Sequence, residues 1–478
     1  MKNRFTWWWL AAWWIAPLAG AAAPARQPNI LHIHADDHRA DGLQALGNPV
    51  LKTPNLDTLV ERGLTFTRCY TQGSMVGAVC LPSRTMLLTG RSWLRLETPA
   101  QAKASGYARA ASYLPKVLGA AGYETWHMGK SGNEFGPAIQ AFHTNLVDDA
   151  RGIADGPDSR SGAGRRLADA AIDFLKRRPA ERPFYMYLAP PVPHDPRLAE
   201  PEFSKLYQPE RIPLPAAFLP VHPWDNGEMT VRDEQLAPWP RTPENTRRQI
   251  ADYYACISAL DHHLGRIFAQ LKAAGEFERT IIIFTGDNGL SLGEHGLFGK
   301  QNLYEFGGMH VPLVLAGPGI PQGRSEALVY LMDLYPTFCE LAGAAIPPPV
   351  EGKSLLPVIQ GREPKVREAL YTAYRDCQRA VRDDRWKLIR YPLVDKTQLF
   401  DLTADPHELA NLAEQPGHAA TLARMTRLLE QEMARYGDTT PLKTAQPKPA
   451  EWKPPVPGGK TAPKAKTKTK AKASQAGS

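Results

Sequence analysis

Apolar runs of strand length that end abruptly in charged or amide residues constrain this chain more than any other feature. Asn29–Ala35 alternates apolar and polar side chains and runs into Asp36-Asp37, and residues 123–128 run into Gly129-Lys130. Residues 184–189 lead to Pro193-His194, and the buried-type run 280–285 (Thr-Ile-Ile-Ile-Phe-Thr) ends in Gly286-Asp287-Asn288. Helix-patterned stretches lie between them. Thr53 and Pro54 mark an N-cap and a first helical position, and residues 114–121 stop at Gly122. Residues 166–178 place Leu167, Ala170, Ala171, Phe174 and Leu175 on one helical face, and 244–274 keep Ile250, Ile257, Leu264, Ile267 and Leu271 in register over one long helix. Strands alternating with helices predict an α/β fold with a large, mostly parallel sheet sandwiched by helices. Sheets of this kind bind ligands at the carboxyl ends of their strands, where the charged residues fall.

After Ala344 the pattern changes to Pro347-Pro348-Pro349, short strands around residues 380–382 and 386–389, and a helix over 419–436. This predicts a smaller C-terminal antiparallel subdomain. The expected boundaries are a catalytic domain over 28–345, the subdomain over 346–438 and a disordered tail over 439–478. From Lys443 on, the tail holds nine Lys and one Glu with almost no large apolar side chain, so it cannot build a core. It also carries the whole net charge of +8, since the remaining 48 basic and 48 acidic residues cancel. A nucleic-acid partner is therefore not implied.

The N-terminus reads Met1-Lys2-Asn3-Arg4, a Trp-rich apolar run over 5–18, then small residues to Ala23. That is the three-part pattern of a secretory signal, expected to be removed as residues 1–23. The apolar run is shorter than the ~20 residues a membrane span needs, so a periplasmic or secreted protein without a transmembrane anchor after processing is expected. Cys69, Cys80, Cys256, Cys339 and Cys377 are too scattered for a disulfide framework, and no zinc-ligand spacing occurs.

Asp36-Asp37 and Asp287-Asn288 each follow an apolar strand. Adjacent carboxylates repel unless a cation sits between them, and oxygen donors of this kind suit a hard divalent ion such as Ca²⁺. A single such pair is more often a turn or a helix cap. A lone Cys80 would ordinarily be a packed, inert thiol.

Cys80-Leu81-Pro82-Ser83-Arg84, continuing through Thr85-Met86-Leu87-Leu88 to Thr89-Gly90-Arg91, resembles the signature of the type I, formylglycine-dependent sulfatases of the alkaline phosphatase superfamily. The resemblance extends over roughly residues 28–415, in the family's order, and it implies an alkaline phosphatase-like fold and an arylsulfatase-like sulfuric ester hydrolase. It further implies that Cys80 is oxidised to formylglycine by a formylglycine-generating enzyme. One Ca²⁺ would be held by Asp36, Asp37, residue 80, Asp287 and Asn288. Arg84 would support the formylglycine hydrate, Lys130 and Lys300 would bind the sulfate, and His194 would protonate the leaving oxygen of a sulfate ester, with a sulfated glycan among the candidate substrates.

One segment departs from the family. Many sulfatases follow the first lysine with Trp-His, and that histidine is the base for sulfate release; here Lys130 is followed by Ser131-Gly132-Asn133. His295, in Gly293-Glu294-His295-Gly296, is the first substitute and His310 the second, while Asn133 can bind substrate without acting as a base. Of His32 and His34, at least one is expected in the core. Two other readings stay open: a formylglycine-dependent phosphodiesterase or phosphonate ester hydrolase, and a catalytically impaired sulfated-glycan binding protein. Tyr207, Trp224 and Trp239, in the long stretch 197–242, are expected mostly to pack rather than to stack on a sugar.

Overall fold

A computed structural model describes residues 26–95, 110–130, 132–147, 164–348 and 350–455. The signal segment 1–23 and the Lys-rich end 456–478 lie outside the described residues. The apolar runs form the centre of a nine-stranded sheet with the order β10-β2-β9-β7-β1-β6-β4-β5, in which β8 also pairs with β2. Here β1 is Asn29–Ala35, β2 Leu64–Tyr70, β4 Glu124–Gly129, β5 Thr144–Val147, β6 Phe184–Ala189, β7 Thr280–Gly286, β8 His310–Val311, β9 Leu313–Ala316 and β10 Gly323–Tyr330.

The block β7-β1-β6-β4-β5 is parallel throughout. The sheet as a whole is mixed, because β9 runs antiparallel to both β7 and β2 and β8 antiparallel to β2. Parallel strands buried on both faces read as continuous apolar runs, and every residue of β1, β6 and β7 is buried.

Helices cover both faces. On one side, α4 (Arg165–Arg177) buries Leu167, Ala168, Ala171 and Leu175 beside the long helix α5 (Pro243–Ala273). On the other, α2 (Cys80–Thr89), α3 (Leu114–Ala120) and α6 (Leu334–Leu341) pack over the sheet. Helix α1 (Pro54–Arg62) begins after Thr53 as its sequence predicts, but the Thr53 hydroxyl does not cap it. It donates to Asp57 at 2.9 Å and accepts from the Gln44 amide instead. Cys256 on α5 and Cys339 on α6 are fully buried, and all five cysteines are free thiols.

The second sheet has the order β14-β13-β12-β11-β3. Strands β11 (Leu370–Tyr374), β12 (Gln378–Arg382), β13 (Trp386–Tyr391) and β14 (Lys396–Asp401) are antiparallel, and α7 (Ala419–Tyr436) packs on them. Its fifth strand, β3 (Gly73–Ser74), comes from the segment leading into α2 and pairs in parallel with β11. The C-terminal sheet is thereby stitched to the approach of Cys80. The tail past residue 438 lies against the body as far as it is described: the Ala450 carbonyl accepts from the Asp225 amide at 2.9 Å, and Trp452 packs on Trp239. Trp224 packs on His222 and Tyr391, and the Tyr207 hydroxyl bonds Ser258, so these aromatics serve packing as the sequence suggests. No described helix is long and apolar enough to cross a membrane.

Candidate active site

Four neighbouring strands, β7, β1, β6 and β4, deliver the charged residues to one end of the sheet, and α2 brings Cys80 and Arg84 over them. Ligand atoms of Asp36, Asp37, Cys80 and Asp287 all lie within 4.8 Å of one another, and all four residues are buried. Asp37 takes a left-handed backbone with φ of 64°, a conformation uncommon outside glycine. It is held from both sides, since its amide donates to Asp287 Oδ1 at 2.9 Å and its carbonyl accepts from the Tyr253 hydroxyl at 2.7 Å.

Positive side chains fill the spaces between the acids. Lys130 pairs with Asp36 Oδ2, and Lys300 Nζ lies 2.5 Å from Asp37 Oδ1 and 3.1 Å from Cys80 Sγ. Arg84 Nε donates to Asp287 Oδ2 at 2.8 Å, a second nitrogen pairs with Glu134, and the third sits 3.7 Å from Asp36 Oδ1. Burial alone would raise the Asp36 carboxyl, but Lys130, His194, Arg84 and Lys300 outweigh it and hold Asp36 well below the usual range. Burial would lower Lys300, but Asp37, Cys80, Asp233 and Asp36 together outweigh it and hold its ammonium well above the ordinary value. Gly308 makes the lysine's position possible, because a Cβ there would sit 1.8 Å from the Lys300 carbonyl oxygen.

Cys80 itself is the misfit. Burial first, and Asp287 second, push its thiol well above the ordinary value, so as a thiol it is a poor nucleophile. Sulfur is also the wrong donor for a hard ion in an oxygen cage. An oxygen at this position would satisfy both the cage and the chemistry.

His194 stands at the mouth. Its Nδ1 donates to the Asp195 carbonyl at 2.7 Å, and its Nε2 lies 3.8 Å from Asp37 Oδ2. Arg232, half exposed, reaches 3.3 Å from that same Nε2 and pairs with Asp195 and Asp233. Asp233 accepts from Gln301 at 2.7 Å, beside Lys300.

The proposed substitute bases are placed elsewhere. His295 stacks on Tyr304 with ring centroids 3.8 Å apart, and its carbonyl accepts from His222. Burial first, then His222 and Lys387, push its imidazole down to about 3. His310 stacks on Tyr70, bonds the Thr67 carbonyl and faces Glu305. The structure therefore does not gather either ring into the cluster around Cys80. His32 and His34 are both fully buried in the core. Asn133 is exposed, and at Gly132 an added Cβ would meet nothing within 4 Å, so position 132 borders open space.

Sequence reasoning missed Glu134 and the mouth residues Arg232, Asp233 and Gln301. Glu134 follows a Gly-Asn turn with no periodicity to flag it; only its place four residues after Lys130 was a signal. Arg232 and Asp233 sit in an irregular stretch that carries no motif.

The cage fits a divalent cation. Asp37 Oδ2 and Asn288 Oδ1 are buried oxygens with no hydrogen-bond partner, and buried acceptors are rarely left so. They stand beside the carboxylates of Asp36 and Asp287, the oxygen donor set that Ca²⁺ takes.

Comparison with known proteins finds sulfatases among the chain's relatives. The family model for sulfatases matches residues 28–344, and a model for the C-terminal part of N-sulphoglucosamine sulphohydrolase matches 293–435. The chain is 30% identical to a choline-sulfatase of Rhizobium meliloti, over 86% of this chain and 87% of that protein. It is 26% identical to an N-acetylglucosamine-6-O-sulfatase of Bacteroides thetaiotaomicron, over 89% and 90%. Among solved structures, BT4656 in complex with its substrate D-glucosamine-2-N,6-O-disulfate superposes with a TM-score of 0.69 at 24% identity, over 88% of this chain and 100% of that one. A phosphonate monoester hydrolase of Agrobacterium radiobacter gives 0.69 at 23%, over 86% and 96%. At these identities the superpositions speak for the fold.

Proposed function

The chain belongs to the sulfatase family and is a sulfuric ester hydrolase, and from that premise we propose that it cleaves sulfate monoesters of a sulfated carbohydrate or an aryl alcohol. Residue 80 acts in its formylglycine form, installed by a formylglycine-generating enzyme, with one Ca²⁺ in the acidic cage. The N-terminal export pattern supports a periplasmic or secreted setting, and the sulfated amino sugars of its relatives support the carbohydrate class.

The charge count of the pocket carries this reading. Four buried carboxylates (Asp36, Asp37, Asp287 and Glu134) face three permanent cations (Arg84, Lys130 and Lys300). Uncompensated charge is costly in a water-excluded site, so an excess of buried carboxylates supports a divalent cation in the cage, and the added positive charge supports an anionic ester beside it.

Formylglycine would supply a hydrated aldehyde oxygen in place of the inert thiol, and a bound cation would lower that hydroxyl's pKa toward neutrality. Asp36, Asp37, Asp287 and Asn288 would hold the cation. Lys130 and Lys300 offset charge on the nonbridging oxygens. His194, its Nδ1 proton committed to Asp195, presents Nε2 toward the leaving oxygen once protonated there. Arg232 occupies that nitrogen in the free protein, so the ester displaces a guanidinium as it enters.

The test uses the chain expressed with the modifying enzyme. Hydrolysis of an aryl sulfate should stop on chelation and return with Ca²⁺, and peptide mass spectrometry across residues 69–91 should show an aldehyde in place of the thiol. Turnover with an intact Cys80 thiol overturns the modification. Faster hydrolysis of an aryl phosphate diester, which carries the same single charge, moves the enzyme to the phosphonate hydrolase side of the superfamily.

A further inference from the structure

We propose that Glu134 takes up the proton that the pocket must accept when the product anion is freed, in place of the histidine that many sulfatases carry two residues after Lys130. The inference rests on the sulfatase reading above. Its geometric basis is the turn after β4. Position 132, where that histidine would stand, is exposed and points into open space, and Asn133 is exposed with φ of 58°. The chain thereby turns back, and the next side chain, Glu134, is the one that enters: its side chain is 4% exposed and pairs with Arg84. Arg84 lies one helical turn past residue 80, and the same guanidinium holds Asp287 and faces Asp36. Glu134 is thus tied through one side chain to the cage and to the first turn of α2.

One oxygen of this carboxyl, Oε2, is buried without a hydrogen-bond partner. An ionised carboxylate accepts up to about four hydrogen bonds, so this oxygen is under-satisfied as an anion. The charged and titratable groups around it are Arg84 on α2, Lys130 after β4, Asp287 after β7 and Tyr187 on β6. Against Arg84 and Lys130, burial keeps the carboxyl up at about 7, the range of a working base.

The reaction creates a reason for the proton to arrive. A sulfate monoester enters as a monoanion and leaves as sulfate dianion, an alcohol and one proton. The pocket then carries one more negative charge than it did with the ester. Water is the co-reactant: ester monoanion plus water gives alcohol, sulfate dianion and one proton. That proton leaves an O–H bond whose electron pair stays on oxygen and forms a new O–H bond on Glu134. It is passed through water, because Glu134 is hydrogen-bonded to Arg84 and not to residue 80. The carboxyl becomes neutral as the dianion appears.

Inorganic sulfate is the probe. Calorimetry of sulfate binding to the full chain with Ca²⁺, in two buffers of different ionisation heat near neutrality, reads the protons taken up. The wild type is expected to take up a substantial fraction of a proton per sulfate, rising toward one as the pH is set above 7, and Glu134→Gln none while still binding. In turnover, Glu134→Gln should lower kcat by about 10²–10⁴-fold, leave KM little changed and lose the pH limb near 7. Glu134→Asp should keep the proton uptake with reduced kcat, which separates proton transfer from loss of the Arg84 contact.

Stability supplies a second readout. A carboxyl whose folded value is raised from 4.5 to about 7 stabilises the fold fully below the lower value and loses that contribution as pH rises through the upper one. The melting temperature of the wild type should therefore fall more steeply over that window than that of Glu134→Gln. Proton uptake that is absent in the wild type, or that survives in Glu134→Gln, overturns the proposal; survival hands the proton to His194. Sulfate binding reads Glu134 even if sulfate esters prove not to be the substrate.

Discussion

Two of the buried ionic clusters in the described residues are built from nearly the same residue types, and only one of the two is arranged for chemistry. At the seam between the sheets, Glu305 gives one oxygen to Lys387 at 3.0 Å and the other to Arg382 at 3.0 Å and to Tyr70. Lys387 also lies 2.9 Å from Glu408 Oε1, while Glu408 Oε2 accepts from the Glu305 amide at 2.6 Å. Each carboxylate oxygen there lies within 3.0 Å of a donor or a cation, Glu408 Oε1 through its ion pair with Lys387 although it has no hydrogen bond, and Lys387 and Arg382 hold Glu305 well below the usual range against burial. In the pocket, Asp37 Oδ2, Asn288 Oδ1, Glu134 Oε2 and one Arg84 nitrogen have no hydrogen-bond partner. The closed cluster holds two layers together. The open one has valences waiting for an ion and a substrate, and open valences distinguish a site from a fastening better than buried charge does.

Opening the pocket cluster further should have the largest effect on activity. Asp37→Asn keeps an amide that tolerates the left-handed backbone and removes the charge opposite Lys300. It should lower kcat/KM by about a thousandfold and weaken the stabilisation that added Ca²⁺ gives in a thermal melt. A variant that retains near-normal kcat/KM and the same Ca²⁺ response would show that the cage does not hold the ion.

Breaking the seam should instead cost stability. Lys387→Met leaves Glu305 and Glu408 buried without their shared cation, a loss of about 3–5 kcal/mol by urea denaturation. Activity per folded molecule should be retained, because Lys387 contacts no pocket residue. A variant as stable as the wild type, or one folded but inactive, would erase the distinction between the two clusters.

The pocket was more legible in the sequence than the seam for a physical reason. Asp36, Asp37, Lys130, Asp287 and Asn288 each terminate a buried strand, and parallel topology carries strand ends to one place, so local pattern predicted a shared location. Glu305, Lys387 and Glu408 belong to a loop, a strand and a turn whose meeting depends on how two sheets dock, and no periodicity reports that. The mixed character of the large sheet escaped for a similar reason: Leu313–Ala316 is a short apolar run that reads the same in either direction. Gly132 was legible as a departure. Its replacement was not, because a turn with positive φ at Asn133 decides which later side chain points inward.

His295 brings the comparison to a single side chain, since it lies in the same loop as Lys300 yet keeps company with the seam. Its ring stacks on Tyr304, whose hydroxyl donates to Gln398 on β14 at 2.9 Å. An imidazole held near 3 stays neutral and accepts a proton too weakly to serve as a base near neutrality. His295→Asn preserves a residue that accepts the backbone φ of 53° and gives up the ring stack, worth about 0.5–1.5 kcal/mol. The expected outcome is a small drop in melting temperature with kcat and its pH profile unchanged. A fall in kcat with loss of the pH limb near 7 would move His295 from the seam into the pocket and displace Glu134 from the role assigned to it.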